Sequence, residues 1–191
     1  MCCRKGGPGL HTEDKERISR LGLANVVCLR PGELAFDPQT NRLAPLHEEL
    51  LKIRGKDQGW ECIFFDVHRA CTVYQDRPLE CRALHCDNTD AIFHALALPR
   101  LNRAHLVPQE SALGECIAEH ERLFPVRKAL DLLEHRTSAA TQALETLVRN
   151  EVLFRQSFAD RVQVEDVDLW LYFGRPLWLV LLPLRSGSGS S

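Results

Sequence analysis

Thiols are the densest chemistry in this sequence. Of eight cysteines, six fall into two groups: Cys2 and Cys3 at the start, and Cys62, Cys71, Cys81 and Cys86 within one aromatic-rich stretch. Thiolates are soft donors that hold Zn(II) and iron–sulfur clusters, and a folded scaffold can gather four of them from separate turns where a random chain cannot. The Cys-x8-Cys-x9-Cys-x4-Cys spacing matches neither the paired Cys-x-x-Cys of a zinc ribbon nor a ferredoxin run. Donor type therefore leaves both zinc and iron, the latter as a 4Fe-4S cluster, open as the cofactor. Cys28, inside Val26-Val27-Cys28-Leu29, and Cys116, on a helical stretch, read as core. His68 and His85 lie among the cysteines and are competent ligands by type, but solvent-exposed histidines are the simpler reading.

Arg77 and Arg82 bracket Cys81. Four thiolates around Zn(II), or around an oxidised four-iron cluster, leave a net charge of about −2, which a neighbouring guanidinium stabilises. These two arginines are the expected cofactor-binding cations. Other catalytic signatures are missing: there is no Gly-x-Gly-x-x-Gly, Gly-x-Ser-x-Gly, P-loop or His-Glu-x-x-His, and the eight histidines are scattered.

The elements that must position these groups change character along the chain. Thr12, followed by Glu13 and Asp14, reads as an N-cap opening a short helix through Ile18 and Leu21 that stops at Gly22. Short apolar pieces at Val26–Leu29, Glu33–Phe36, Arg42-Leu43 and Leu50–Arg54, punctuated by Pro31-Gly32 and Asp37–Asn41, predict strands and hairpins. Alternation from Trp60 to Phe65 predicts a strand, Asp66–Ala70 its turn and Cys71–Tyr74 the return. Pro78 then fits the first turn of a short helical segment carrying Cys81. From Thr89 the period becomes helical: Ala91–Leu98, Gln109–Phe124, and a helix from Pro125 whose Ala140, Ala143, Leu144, Leu147 and Val148 share one face. Val162–Phe173 suits either a helix or a strand.

The expected architecture is α+β, an irregular strand-and-loop cysteine module packed on a mostly helical C-terminal half. Its boundaries fall at 1–90 for the metal-binding module, 91–185 for the helices and 186–191 for a flexible Ser-Gly tail. Lys+Arg 24 against Asp+Glu 26 gives a net charge of −2, so no global basic field favours nucleic acid. Leu177–Leu182 is too short to span a bilayer. The first residues lack the apolar run of a secretory signal, which places the thiols in a reducing cytoplasm, metal-bound or free rather than in disulfides.

Residues 2 to 90 resemble the YkgJ-like CxxCxxCC cysteine-cluster family, described as a zinc- or iron-chelating domain. Cys2-Cys3 match the close of its opening motif and Thr12–Ile18 its helix. Cys62-Ile-Phe-Phe65, Cys71-Thr-Val-Tyr74, Arg77-Pro-Leu-Glu-Cys-Arg82 and Cys86 match the rest. The resemblance implies a site built from Cys2, Cys3, Cys62, Cys71, Cys81 and Cys86, with a structural, regulatory or metal-handling role. The family's first Cys-x-x-Cys would precede Met1, so the resemblance also leads one to expect a reading frame that continues upstream. Some relatives are associated with lysine methylation of flagellin, which makes the cysteine module of a methyl-transfer or redox enzyme the alternative. A metal-free interaction protein is the third reading.

Overall fold

The computed structural model describes residues 2–37, 40, 42–56, 59–84 and 90–186. Cys86, His85 and residues 187–191 of the expected tail lie outside them. The fold is α+β: small separate antiparallel strand pairs, then a helical C-terminal half.

A single turn at Thr12–Asp14 leads into helix α1 (Lys15–Leu21), which ends at Gly22 with φ 81°, a backbone region open to glycine at little cost. The side chain that fastens this start is Asp14 rather than the expected Thr12. Its carboxylate accepts the His11 N–H at 3.1 Å and reaches across the fold to the Leu79 N–H at 2.9 Å. Strand β1 (Val26–Leu29) is buried along its whole length. Hairpin β2 (Leu34–Asp37) and β3 (Arg42–Pro45) follows, and β4 (Leu50–Ile53) returns to pair with β1 in the register Val26↔Ile53 to Leu29↔Leu50.

The expected strand from Trp60 to Phe65 does not form as one piece. Cys62 makes only an isolated bridge to Gly55, and its carbonyl accepts the Phe65 N–H at 2.9 Å, closing a turn that takes the backbone out of the ladder. What remains is a two-residue pair, β5 (Phe65–Asp66) with β6 (Ala70–Cys71). The Asp66 carboxylate shapes the connection by accepting the N–H groups of His68 and Arg69, both at 2.8 Å, and Ala70 completes it at φ 61°. Helix α2 (Leu79–Ala83) then follows Pro78, as expected, and carries Cys81.

The second half comprises α3 (Asp90–Leu96), α4 (Ala112–Leu123), α5 (Val126–His135), α6 (Ser138–Val162), α7 (Trp170–Phe173) and α8 (Leu177–Ser186). The single helix expected from Pro125 is two, because Arg136 adopts a left-handed conformation and Thr137 restarts the chain by accepting the Ala140 N–H at 3.1 Å. Ala140, Leu144 and Leu147 do share the buried face of α6, but Ala143 is exposed. The ambiguous Val162–Phe173 segment is a helical turn leading into α7.

Two apolar clusters result. Leu10, Ile18, Val26, Cys28, Ile53 and Phe65 build the first, joined by Leu101 and Leu171 from the second half. Phe124, Ala129, Leu144, Leu177 and Val180 anchor the other. Among the described residues no single helix is long and apolar enough to cross a membrane.

Candidate metal centre

Four separate segments carry the cysteines Cys3, Cys62, Cys71 and Cys81, of which Cys62 lies in the first core and Cys3 packs against it. The N-terminal turn Cys2–Arg4 is tied to the centre by the Cys62 N–H, which donates to the Cys3 carbonyl at 2.8 Å. Cys62 in turn closes the bend that ends at Phe65, and Phe65 lies directly opposite Cys71 in the β5–β6 register. The fourth thiol comes from α2.

That helix is held by its neighbour Glu80, whose carboxylate accepts the Gly9 N–H at 2.7 Å and the Arg100 guanidinium at 2.8 Å, with His11 Nε2 at 3.2 Å. Burial alone would raise this carboxyl's pKa, but the His11 contact, Arg100 and the Gly9 N–H together hold it below the usual range. The residues that aim Cys81 are thus a local network between positions 9–14 and 78–80.

The Cys62 and Cys81 thiols are shifted by burial and by the other cysteines. Burial pushes the Cys81 thiol far up, and the charges of Cys62, Cys3 and Cys71 push it further. Cys62 is raised for the same reason, burial first, against a hydrogen bond from the backbone at Phe64, with Cys3 and Cys71 adding to the rise. Both thiols are therefore protonated at neutral pH in the free protein, and a bound cation would be needed to ionise them. Among the described residues no three His, Cys, Asp or Glu side chains stand at ligand spacing for an ion. The Cys2 side chain and Cys86 are not among the described groups.

The remaining sequence candidates separate cleanly. Cys28 is fully buried, with its thiol 3.6 Å from the Leu29 carbonyl, and Cys116 is half-buried on α4. His68 is exposed. The Arg77 guanidinium lies 3.6 Å from the Tyr74 ring centroid, and Arg82 pairs with Glu13 at 2.6 Å while donating to the Arg77 carbonyl. A cation that acts on the thiols was missed: Lys52, whose charge opposes the rise of the Cys62 thiol. Its place between Leu51 and Ile53 reads from sequence as the outward face of a half-buried strand, and only the pairing of β4 beside the thiols shows otherwise.

A second cluster of ionisable groups, also missed, joins the two halves. Glu151 is fully buried, and its Oε1 lies 3.4 Å from His120 Nε2, 3.6 Å from Arg155 Nη1 and 3.8 Å from Arg30 Nη2. Its other oxygen accepts the Leu177 N–H at 3.0 Å. Arg30 also donates to the Phe124 carbonyl, Arg155 to Asp166 at 2.6 Å, and Arg175 to buried Glu33 at 2.7 Å. The signal that could have found it is the i, i+7 continuation of the α6 apolar face from Leu144 to Glu151.

In comparison with known proteins, no family model matches the chain, and no curated protein or solved structure matches it.

Proposed function

We propose that this protein binds a soft metal through clustered cysteine thiolates, as zinc or as an iron–sulfur cluster, in the manner the CxxCxxCC resemblance implies. The observation that supports the reading is that the Cys62 N–H bonds the Cys3 carbonyl, Cys71 lies opposite Phe65, and Cys62, Cys3 and Cys71 each add to the rise of the Cys81 pKa. Cys2 and Cys86, adjacent in sequence to two of these segments, complete the expected donor set.

Burial and neighbouring cysteines raise the pKa of Cys62 and Cys81, a costly setting for thiolates unless something binds them. A zinc ion or a cluster, when bound, supplies the positive charge that lets them ionise together. The protein's own part is to hold α2 against residues 9–14 through Glu80 and Asp14, and to keep Cys62 buried. Cys28, Cys62, Cys71, Cys81 and Cys116 are free thiols. A structural or metal-handling role fits best, since thiols pushed up by burial are poor nucleophiles.

Anaerobic purification followed by metal analysis and a visible spectrum tests this. Iron with acid-labile sulfide and broad visible absorption identifies a cluster, and a colourless protein with zinc identifies a thiolate zinc site. A protein carrying neither, and taking up neither on reconstitution, overturns the reading.

A further inference from the structure

We propose that the ionic junction of β1, α4 and α6 is a binding site for one enclosed water molecule, held between Glu151 and the groups around it. Arg30, His120 and Glu151 are 0% exposed and Arg155 is 2% exposed, so bulk solvent does not reach them. Three of the four are bonded through part of their polar group. Arg30 Nη1 donates to the Phe124 carbonyl at 3.1 Å, Arg155 Nε to Asp166 at 2.6 Å and Nη1 to the Gly174 carbonyl at 3.0 Å, and Glu151 Oε2 accepts the Leu177 N–H at 3.0 Å. The other atoms are not bonded. Arg30 Nε and Nη2, Arg155 Nη2, both His120 nitrogens and Glu151 Oε1 have no hydrogen-bond partner among the described residues. Buried polar atoms are nearly always bonded, so six unbonded ones in a single cluster call for a shared partner.

The spacing points the same way. Glu151 Oε1 stands 3.4 Å from His120 Nε2, 3.6 Å from Arg155 Nη1 and 3.8 Å from Arg30 Nη2. These separations exceed the roughly 3.2 Å limit of a direct bond, while a molecule about 2.8–3.0 Å from two such atoms sits beside the line that joins them.

The chemistry of the unbonded atoms selects the ligand. Glu151 Oε1 only accepts and the guanidiniums only donate, so the shared partner must do both. A halide could serve only the donors, and a metal cation only the carboxylate and the imidazole. Charge excludes an ion as well. Arg30 and Arg155 already face Glu151, Asp166 and, at 3.9 Å from Arg30 Nη1, Glu121. Burial lowers the pKa of His120, which leaves its ring neutral at neutral pH. The ligand is therefore neutral, and full enclosure favours the smallest neutral molecule that both donates and accepts, which is water. Since Glu151 also holds the Leu177 N–H at the start of α8, the water exchanges with solvent only when α8 parts from α6. Its residence time thus reports opening of the junction.

A crystal structure of the full chain that shows ordered solvent tests the site. The expected result is one peak of water weight about 2.6–3.2 Å from Glu151 Oε1 and from at least one of Arg30 Nη2, Arg155 Nη2 and His120 Nε2. Direct contacts below about 3.2 Å between Glu151 Oε1 and those nitrogens, with no peak beside them, would overturn the proposal. Anomalous scattering at that position in crystals grown with bromide would assign a halide and overturn it as well. In solution, water cross-relaxation to the carbon-bound ring protons of His120 in the 13C-labelled chain gives a second reading. NOE and ROE of opposite sign mark a long-lived water there, while the exposed ring of His68 should show the same-sign pattern of rapidly exchanging hydration. A same-sign pattern at His120, or no cross-peak, would contradict the proposal.

Discussion

At the thiol cluster the fold draws together side chains of one kind, whereas at the junction of β1, α4 and α6 it draws together opposites. Burial and neighbouring cysteines raise the resistance of Cys62 and Cys81 to ionisation, with Lys52 opposing the rise at Cys62. Glu151 is enclosed by Arg30, Arg155 and His120, and Arg30, Arg155 and Arg175 find further acceptors in Phe124, Asp166 and Glu33. The ionic junction is explained by folding as far as charge goes, because its charges offset one another, although Glu151 Oε1 and both His120 nitrogens have no hydrogen-bond partner among the described residues. The thiols are not, and a group whose assembly the fold does not account for is where an external partner belongs.

The largest expected effect breaks the self-sufficient side of that comparison. Glu151→Ala leaves Arg30 and Arg155 buried without their shared anion and should cost about 3–5 kcal/mol in denaturant unfolding. Metal content of the protein that remains folded should be unchanged, since the junction contributes no thiol. A cost below about 1 kcal/mol would show that the junction is solvated in a way its burial does not suggest.

The contrast also explains what could be read from sequence. Helix α1, strands β1 and β4, and the helix after Pro78 were legible because their signals are local: a glycine stop, an apolar run between turn residues, a proline at a helix start. The continuous strand at Trp60–Phe65 failed because alternation cannot register that the Cys62 carbonyl turns back onto Phe65. The break between α5 and α6 was hidden in Arg136-Thr137, a left-handed residue and a cap that carry no glycine or proline. The cysteine grouping was visible in sequence, but its gathering by Glu80 and Asp14 was not, since their partners lie about seventy positions away. The ionic junction joins residues from 30 to 175, and no local window contains it.

A smaller effect sharpens the thiol side. Glu80→Gln removes the charge that ties α2 to His11 and Arg100, and should cost about 2 kcal/mol of stability. Because Cys81 is the next residue, the variant should also release metal to a chelator faster than the parent protein does. Unchanged release with lowered stability would separate the network from the site.

Cysteines outside the cluster provide the control. Cys28→Ser places a hydroxyl at a fully buried position and should cost on the order of 1 kcal/mol, and Cys116→Ser less, each with metal content intact. The smallest effect is the pH response of the junction. Burial lowers the pKa of His120, against the pull of Glu151, with Arg30 adding to the lowering and Glu121 opposing it. The unfolded chain then takes up a proton near the ordinary value of about 6.5 while the folded one does not. Stability contributed by the neutral imidazole is present above that pH and falls as acid is added. His120→Phe, which stays neutral beside Phe124, Phe154 and Phe173, should flatten the decline, read from thermal midpoints between neutral and mildly acidic buffers. An unchanged slope would assign the response to other groups.

The central claim is that the four gathered thiols hold metal, and metal content per chain in single serine variants tests it most directly. Under anaerobic purification, Cys71→Ser and Cys81→Ser should each lose most of the zinc or iron found in the parent protein, and lose stability with it, while Cys116→Ser keeps both. Full metal occupancy in both Cys71→Ser and Cys81→Ser would contradict it.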